Sequence, residues 1–482
     1  MNLRLFSQFI PKKSILLPTA GRIRYVSNKP CDLYLPATHV VKDISKDQTE
    51  FLDRAEKTLL PVYVRPQEIV LSHGEGSYLF SASGQKYLDF SAGIAVNSLG
   101  HGDKEFIEVL TQQASKIIHS SNVYHNEHAA KLAALLIELT KRDGGLGWRA
   151  GETTSDNGKG AKVFFSNSGT EANEGALKIA RMAGKMRWSA KTGKPWDSPD
   201  SECDKYRIVC FEHSFHGRSM GALSVTNTRK YQAPFEPLLP GVDVGRINDY
   251  SSLDALITDK TCAVIVEPIQ GEGGINSCEE SWLTKLRERC NQTDAVLIFD
   301  EIQASDCGLY RNGSLWAHSQ YEIECHPDIV TMAKPLANGY PIGAIMMRDA
   351  IGQYMTAGTH GTTFGGSPLA CALGTHVLSR LSHPQFMENI RVNGEHLDQR
   401  LRRLPEWFPH ILQRDIRGRG LIRGLGFVEG KSPTKLVELS RQRGVLLLTG
   451  GADAVRIVPS LTITRDEIDK AVDVIESALM LM

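Results

Sequence analysis

Short runs rich in Val, Ile, Phe and Ala recur between residues 163 and 330: Val163–Phe165, Arg207–Phe211, Ala263–Val266, Ala295–Phe299 and Ile329–Val330. Helical spacing of apolar residues follows several of them, notably over 171–183 and 279–290. Continuous apolar strands separated by helices leave few architectures open. A sheet covered by helices on both faces buries such strands, so the alternation predicts an α/β domain with a largely parallel sheet. Ligands in such sheets gather beyond the C-terminal ends of the strands, which directs attention to the residues just after each run.

The flanking segments read differently. Residues 78–90 have the pattern of a hairpin turning at Gly84, and 104–119 and 127–141 have helical spacing. The polar stretches 142–161 and 185–205 read as surface loops. From about residue 376 a long amphipathic helix leads into β-rich runs (Arg419–Phe427, Val445–Leu448 and Val455–Val458) and a final helix, a smaller α+β domain. The expected organisation is a leader over 1–31, an N-terminal segment over 32–103 that joins the small domain, a large domain over 104–375 and a small domain over 376–482.

Lysine plus arginine equals aspartate plus glutamate at 55 each, which gives no support for a nucleic-acid surface. The balance conceals an asymmetry. Residues 1–31 carry Arg4, Lys12, Lys13, Arg22, Arg24 and Lys29 and no acid, the character of a mitochondrial transit peptide or else of a merely disordered basic tail, and losing them would leave a net charge of about −6. No apolar run is long enough for a transmembrane helix. The nine cysteines are scattered without C-x-x-C spacing, which argues against a metal site or a disulfide framework and fits a reducing compartment.

Two residues stand out at strand ends. Asp300 ends the run Ala295–Phe299, and Lys334 follows Ile329–Met332 thirty-four positions later. Each has an ordinary reading, a turn acid and a solvated loop lysine. Together they supply what pyridoxal phosphate needs: an amine that can condense with its aldehyde and a carboxylate that keeps its ring nitrogen protonated. Pro335 disfavours helical geometry at Lys334, so an extended or loop placement is expected. After Val163–Phe165, Ser168 and Glu171 have capping-box spacing, and Gly169 permits close backbone approach; such a helix N-terminus is either a plain cap or a phosphate seat. After Arg207–Phe211, Phe215 can stack on a flat ring and Arg218 can grip a carboxylate, or both can be loop packing. Gly217–Gly221 matches G-x-S-x-G, but the strand ends too early for a nucleophile elbow and no HGGG-type loop is present. The glycines from Gly418 have the wrong spacing for a dinucleotide fingerprint.

Several motifs in order resemble one family. They are Tyr87–Phe90 through Gly100-His101, Asn167–Glu174, Ser214–Arg218, Glu267–Gly274, Phe299–Gln303, Ala333–Gly339 and His360–Gly366. Over roughly 60–480 the chain resembles the class III (ω-amino acid) aminotransferases of pyridoxal phosphate fold type I, and within them the acetylornithine aminotransferases of the fungal mitochondrial type. The resemblance implies that Gly169 and Thr170 bind the cofactor phosphate, Phe215 stacks on its ring, Asp300 pairs with the ring nitrogen and Gln303 lies near the ring hydroxyl. Lys334 would carry the cofactor and move protons as base and acid in a ping-pong reaction. Thr363 would reach the phosphate in a neighbouring subunit, which implies a homodimer. Arg218 and Thr362 would contact the acetylated substrate. Arg456 would bind the α-carboxylate of glutamate, and Glu272 would mask Arg456 while the other substrate is present. The implied reaction moves an amino group between N2-acetylornithine and 2-oxoglutarate in the mitochondrial matrix, with no metal, nucleic acid or membrane involved.

Two departures stand against the family pattern. Ala304-Ser305-Asp306 are inserted after Gln303, and Tyr310 replaces a usual glycine, so bulk in a tight loop is expected to displace Gln303 or weaken the site. Gly102-Asp103 replaces a common proline. Ornithine aminotransferases carry a tyrosine in the segment matching Ala92–Asn97, where this chain has none. The alternatives are another ω-aminotransferase, acting on ornithine or 4-aminobutyrate, and a member impaired by the insertion.

Overall fold

The computed structural model describes residues 34–40, 44–152, 160–199, 202–303, 310–311 and 313–482. The leader expected over 1–31 and the inserted residues 304–306 lie outside the described residues.

A seven-stranded sheet forms the centre, in the spatial order Ala161–Ser166, Gly343–Arg348, Ile329–Met332, Val296–Asp300, Thr261–Val266, Arg207–Phe211, Val242–Gly245. Gly343–Arg348 runs antiparallel to both neighbours and the remaining pairs are parallel. The middle three strands, Ile329–Met332, Val296–Asp300 and Thr261–Val266, are buried at every residue. Strand alternation sorts their side chains. Val296 and Ile298 join Ala263 and Ile265 under the helix Gly169–Thr192, while Leu297 and Phe299 join Val264 and Val266 against the helix Glu280–Gln292. Ala172, Ala176, Ala180 and Ala183 are all wholly buried, so the first helix presents a stripe of methyl groups and lies close on the sheet.

Three expectations are corrected. The helix does not stop near 183 but runs to Thr192, where Gly193 takes a left-handed cap at φ 71°; Lys185, Met186, Arg187, Ala190 and Lys191 are good helix formers that continue it. The stretch 142–161 is not all surface, because Leu146 and Trp148 in it are buried in the main core. The long helix from 376 is two helices, Pro368–Leu381 and Pro384–Leu401, since Pro384 lacks the N–H needed to continue the first and opens the second.

The N-terminal segment and the C-terminal part share a sheet. The hairpin strands Tyr78–Ser81 and Lys86–Asp89 extend in order to Val445–Leu446, which pairs parallel with Lys86–Asp89. A second C-terminal sheet has the order Leu412–Arg419, Ile422–Phe427, Ala454–Ile457, Leu448–Gly450, so Arg456 sits on an inner strand between Gly424 and Leu448. Asp103, where proline is common, caps the helix Lys104–Ala114 through Phe106 N–H and holds Arg380 at 2.6 Å. Between Ser91 and Val96, Ala92, Gly93, Ile94 and Ala95 all have positive φ, from 43° to 64°. Left-handed backbone costs about 1–2 kcal/mol for each residue with a Cβ, and such strain collects at functional sites.

Candidate active site

Lys334 starts a single 3₁₀ turn, Lys334–Ala337, rather than lying on extended chain; Pro335 fits because the second position of such a turn has no internal N–H to donate. Asn338 closes the turn in left-handed geometry. The turn is pinned by the motif around residue 98: Ser98 Oγ donates to the Pro335 carbonyl at 3.1 Å, and Asn338 accepts from Leu99 N–H at 2.8 Å. Burial, reinforced by the Arg456 cation, pulls the Lys334 amine down to about 7, against the pull of Glu272, Asp300 and Glu267. A neutral amine near pH 7 is a nucleophile and a base.

Gln303 links this amine to the substrate side. With its carboxamide oxygen facing the cations, an orientation assigned from the network, it accepts from Lys334 Nζ at 2.8 Å and from Arg456 Nη1. Arg456 is 3% exposed and forms an ion pair with Glu272 at 3.1 Å. Burial lowers its guanidinium and Glu272 opposes that. Lys334, Gln303, Arg456 and Glu272 therefore form one bonded chain.

Asp300 lies at the strand exit, across from Thr331 in register. Its Oδ2 accepts from Asn173 Nδ2 at 2.7 Å and His216 Nδ1 at 2.8 Å, and its Oδ1 accepts from Ile302 N–H at 3.0 Å. Asn173 is itself fixed: Nδ2 also donates to the His216 carbonyl, and Oδ1 accepts from Thr331 Oγ1. Glu267 accepts from Phe215 N–H and Gly271 N–H and is pushed up to about 7 by burial, with His216 lowering and Asp300 raising it. Asn173, His216, Thr331 and Glu267 were not singled out from the sequence. His216 and Asn173 lie inside the quoted motifs, so the signal was position beside Phe215 and one helical turn after Gly169.

At the helix N-terminus Ser168 Oγ accepts from Glu171 N–H, but the Glu171 carboxylate turns to Asn167, accepting from its N–H at 2.6 Å and its Nδ2 at 2.8 Å. The box is thus half made. A Cβ on Gly169 would lie 2.5 Å from Ile302 Cγ2, so only glycine lets the helix start this close to the loop after Asp300. Thr170 Oγ1 accepts from Arg218 N–H and Ser219 N–H and shares a hydrogen bond with Ser219 Oγ, which ties up the serine of the discarded elbow motif. Phe215 is half-buried and Arg218 exposed. Thr362 Oγ1 accepts from Asn167 Nδ2 at 3.1 Å, which joins it to the helix start. Thr363 is exposed. Beside it, Phe364 is 62% exposed and packs on His119, and Asn122, which precedes exposed Val123 and Tyr124, donates to the Thr362 and Gly365 carbonyls.

Tyr310, which stands where glycine is usual, turns toward the core. It does take left-handed backbone, φ 74°, but its wholly buried ring points into the main core, and its hydroxyl donates to Asp143 at 3.1 Å and accepts from Arg142 at 3.0 Å. Its bulk is spent at the end of the helix Glu127–Asp143. Arg311 beside it donates to the Pro459 carbonyl at 2.6 Å, bracing the chain just past Arg456. Among the described residues no cluster of His, Cys, Asp and Glu could hold a metal, and no helix is long and apolar enough to cross a membrane.

The donor set fits pyridoxal phosphate. The amine, the buried carboxylate at a strand exit, the aromatic ring beside it and the helix N-terminus are the groups that the cofactor's aldehyde, ring nitrogen, ring face and phosphate require. Fold and site together define a pyridoxal phosphate-dependent transferase of fold type I.

A family model described as Aminotransferase class-III matches residues 60–479. The chain is 43% identical to a protein of Yarrowia lipolytica named acetylornithine aminotransferase, mitochondrial, over 90% of this chain and 97% of that one. Among solved structures, the ornithine aminotransferase from Toxoplasma gondii ME49 aligns with a TM-score of 0.77 at 29% identity, covering 91% of this chain and 96% of that one. The N-acetylornithine aminotransferase from Stenotrophomonas maltophilia K279a aligns at 0.69 and 30%, covering 89% and 98%. The chain belongs to the class-III aminotransferases, and is a mitochondrial, pyridoxal phosphate-dependent member.

Proposed function

We propose that this enzyme transfers the δ-amino group of N2-acetyl-L-ornithine to 2-oxoglutarate, giving N-acetyl-L-glutamate 5-semialdehyde and L-glutamate, and that it serves arginine biosynthesis in the mitochondrial matrix by running in the reverse direction. The observation that carries the reading is the unequal state of the two arginines: Arg456 is covered by Glu272, while Arg218 has no carboxylate partner among the described residues. One site must accept glutamate, with a carboxylate beside its reacting amine, and a donor whose reacting amine has none. A carboxylate that covers or uncovers Arg456 answers that need. The name of the Yarrowia lipolytica relative supports the choice of donor.

Pyridoxal phosphate, when bound, supplies the carbonyl that carries the amino group and a ring that accepts charge. Gly169 and Thr170 would hold its phosphate, Phe215 its ring face, and Asp300, fixed by Asn173 and His216, would keep its ring nitrogen protonated. Lys334 would take the proton from the donor's δ-carbon, and Gln303 holds that amine in line. Arg218 and Thr362 would bind the acetylated substrate. Thr363, exposed beside an apolar surface, would complete the phosphate site of a second subunit in a homodimer. In the proposed division, residues 104–375 form the large cofactor-binding domain, and 32–103 joins the small domain 376–482.

Ornithine as donor is the second reading, favoured by the TM-score to the Toxoplasma gondii enzyme. The tyrosine-free segment 92–97 speaks for the larger acetylated donor. The deciding measurement is kcat/KM of the purified holoenzyme for N2-acetylornithine, ornithine and 4-aminobutyrate with 2-oxoglutarate. The acetylated donor should lead; a higher value for ornithine overturns the assignment. Borohydride reduction and peptide mapping should label Lys334.

A further inference from the structure

The two arginines are held by different chemistry, and the holder of Arg218 has no assigned role. The Arg218 guanidinium carbon lies 3.5 Å from the centroid of the Tyr231 ring and 5.6 Å from that of Phe215. Tyr231 and Phe215 meet edge to face, with centroids 6.1 Å apart and ring planes at 83°. The guanidinium therefore rests on one aromatic face beside the ring expected to stack on the cofactor.

Stacking has a consequence that an ion pair lacks. It fixes the plane of the guanidinium while leaving its charge uncancelled and its edge N–H groups unused, and those edges grip a carboxylate in bidentate fashion. Tyr231 is placed to do this by its own segment. Tyr231 N–H donates to the Thr228 carbonyl at 2.8 Å, and the next residue, Gln232, ties to the Leu223 and Ser224 carbonyls at 3.0 and 3.3 Å. The helix Met220–Ser224 reached by those bonds is itself capped by Glu174, which accepts from Gly221 and Ala222 N–H. The platform is thus connected to the helix that begins at the phosphate seat.

We propose that Tyr231 is a positioning residue for the carboxylate of the donor: its ring face orients Arg218, and through Arg218 it sets affinity for carboxylated substrates. This rests on the reading that Arg218 binds substrate. The test is a double-mutant cycle on the holoenzyme with Tyr231→Ala, Arg218→Ala and the pair. Tyr231→Ala should raise KM for N2-acetylornithine about 5- to 30-fold with kcat changed less than about 2-fold, as expected for loss of a cation–π contact. Tyr231→Phe, which keeps the face, should restore KM to within about 2-fold. In the Arg218→Ala background, Tyr231→Ala should add nothing. A KM unchanged in Tyr231→Ala, or an equal rise in the Arg218→Ala background, overturns the proposal, the second result marking a purely structural role. If the wild-type enzyme prefers another carboxylated donor, the donor assignment fails, and the same cycle run with that donor still decides the role of Tyr231.

Discussion

In the proposed function Arg456 and Arg218 are two guanidiniums of one site, and the fold treats them oppositely. Arg456 is on an inner strand, 3% exposed, and covered by Glu272. Arg218 is an exposed side chain, and an aromatic face holds it. The difference follows from burial. A cation removed from water needs a counter-charge, since an uncompensated one costs several kcal/mol, whereas an exposed cation needs only to be aimed. The first arrangement can be switched by a competing carboxylate; the second is permanently ready. A site proposed to alternate between two substrates would use one of each.

The largest test of this contrast removes the buried member. Arg456→Ala takes away the cation, frees Glu272 and, on the proposed reading, leaves the glutamate carboxylate without a partner. Loss of one partner of a desolvated charge pair costs about 2–5 kcal/mol, so kcat/KM for glutamate should fall about 30-fold or more. The acetylated donor should suffer less in single-turnover measurements of each half-reaction. Equal losses in both would end the division of labour. Glu272→Gln is the smaller inverse change. With its cover weakened, Arg456 should bind glutamate more tightly, lowering its KM about 3- to 10-fold, while KM for the acetylated donor rises.

Lys334 reports which arginine the amine senses. Burial and Arg456 hold it down to about 7, so in the cofactor-free enzyme the reactive neutral amine should grow as pH rises through about 7, and not only near the usual lysine range. The rate at which apoenzyme takes up pyridoxal phosphate, followed by absorbance across pH 6 to 9, should rise with that midpoint. Arg456→Met should move the midpoint upward, because a cation that disfavours protonation is gone; Arg218→Met should leave it in place. A midpoint that follows Arg218 instead would reverse the assignment of which cation lies against the lysine.

The same contrast explains what could be read in advance. Runs such as Ala295–Phe299 announced the sheet because strands buried on both faces must be continuously apolar. Lys334, Asp300 and Glu272 stand in the short motifs that carried the resemblance, Arg456 was named by the resemblance alone, and Glu272 and Arg456 do meet. The reach of Tyr231 onto Arg218 was not legible, because it depends on how the Thr228–Gln232 segment folds back rather than on spacing. Asn173 and His216 were hidden for the same reason: their polar atoms converge on Asp300 only once helix, loop and strand are assembled. The direction of Tyr310 was not legible, because sequence shows bulk but not where it points. Its ring leaves the site for the core, a choice set by Asp143 and Arg142 more than a hundred residues earlier.

The smallest expected effect concerns the brace behind Arg456. Arg311 is wholly buried and donates to the Pro459 carbonyl, while its Nε and Nη2 have no partner among the described residues. Burial accordingly pulls its guanidinium down to about 10. Arg311→Met keeps most of the volume, removes one hydrogen bond and also removes a poorly compensated charge. Replacing such a cation by an apolar side chain is often neutral for stability, so the melting temperature should move little in either direction. What should change is precision: without its tie to Pro459, the segment after Arg456 loosens, and KM for glutamate should rise about 2- to 3-fold with the acetylated donor unaffected. If instead both substrates lose affinity alike, Arg311 supports the whole site and not the arm that carries Arg456.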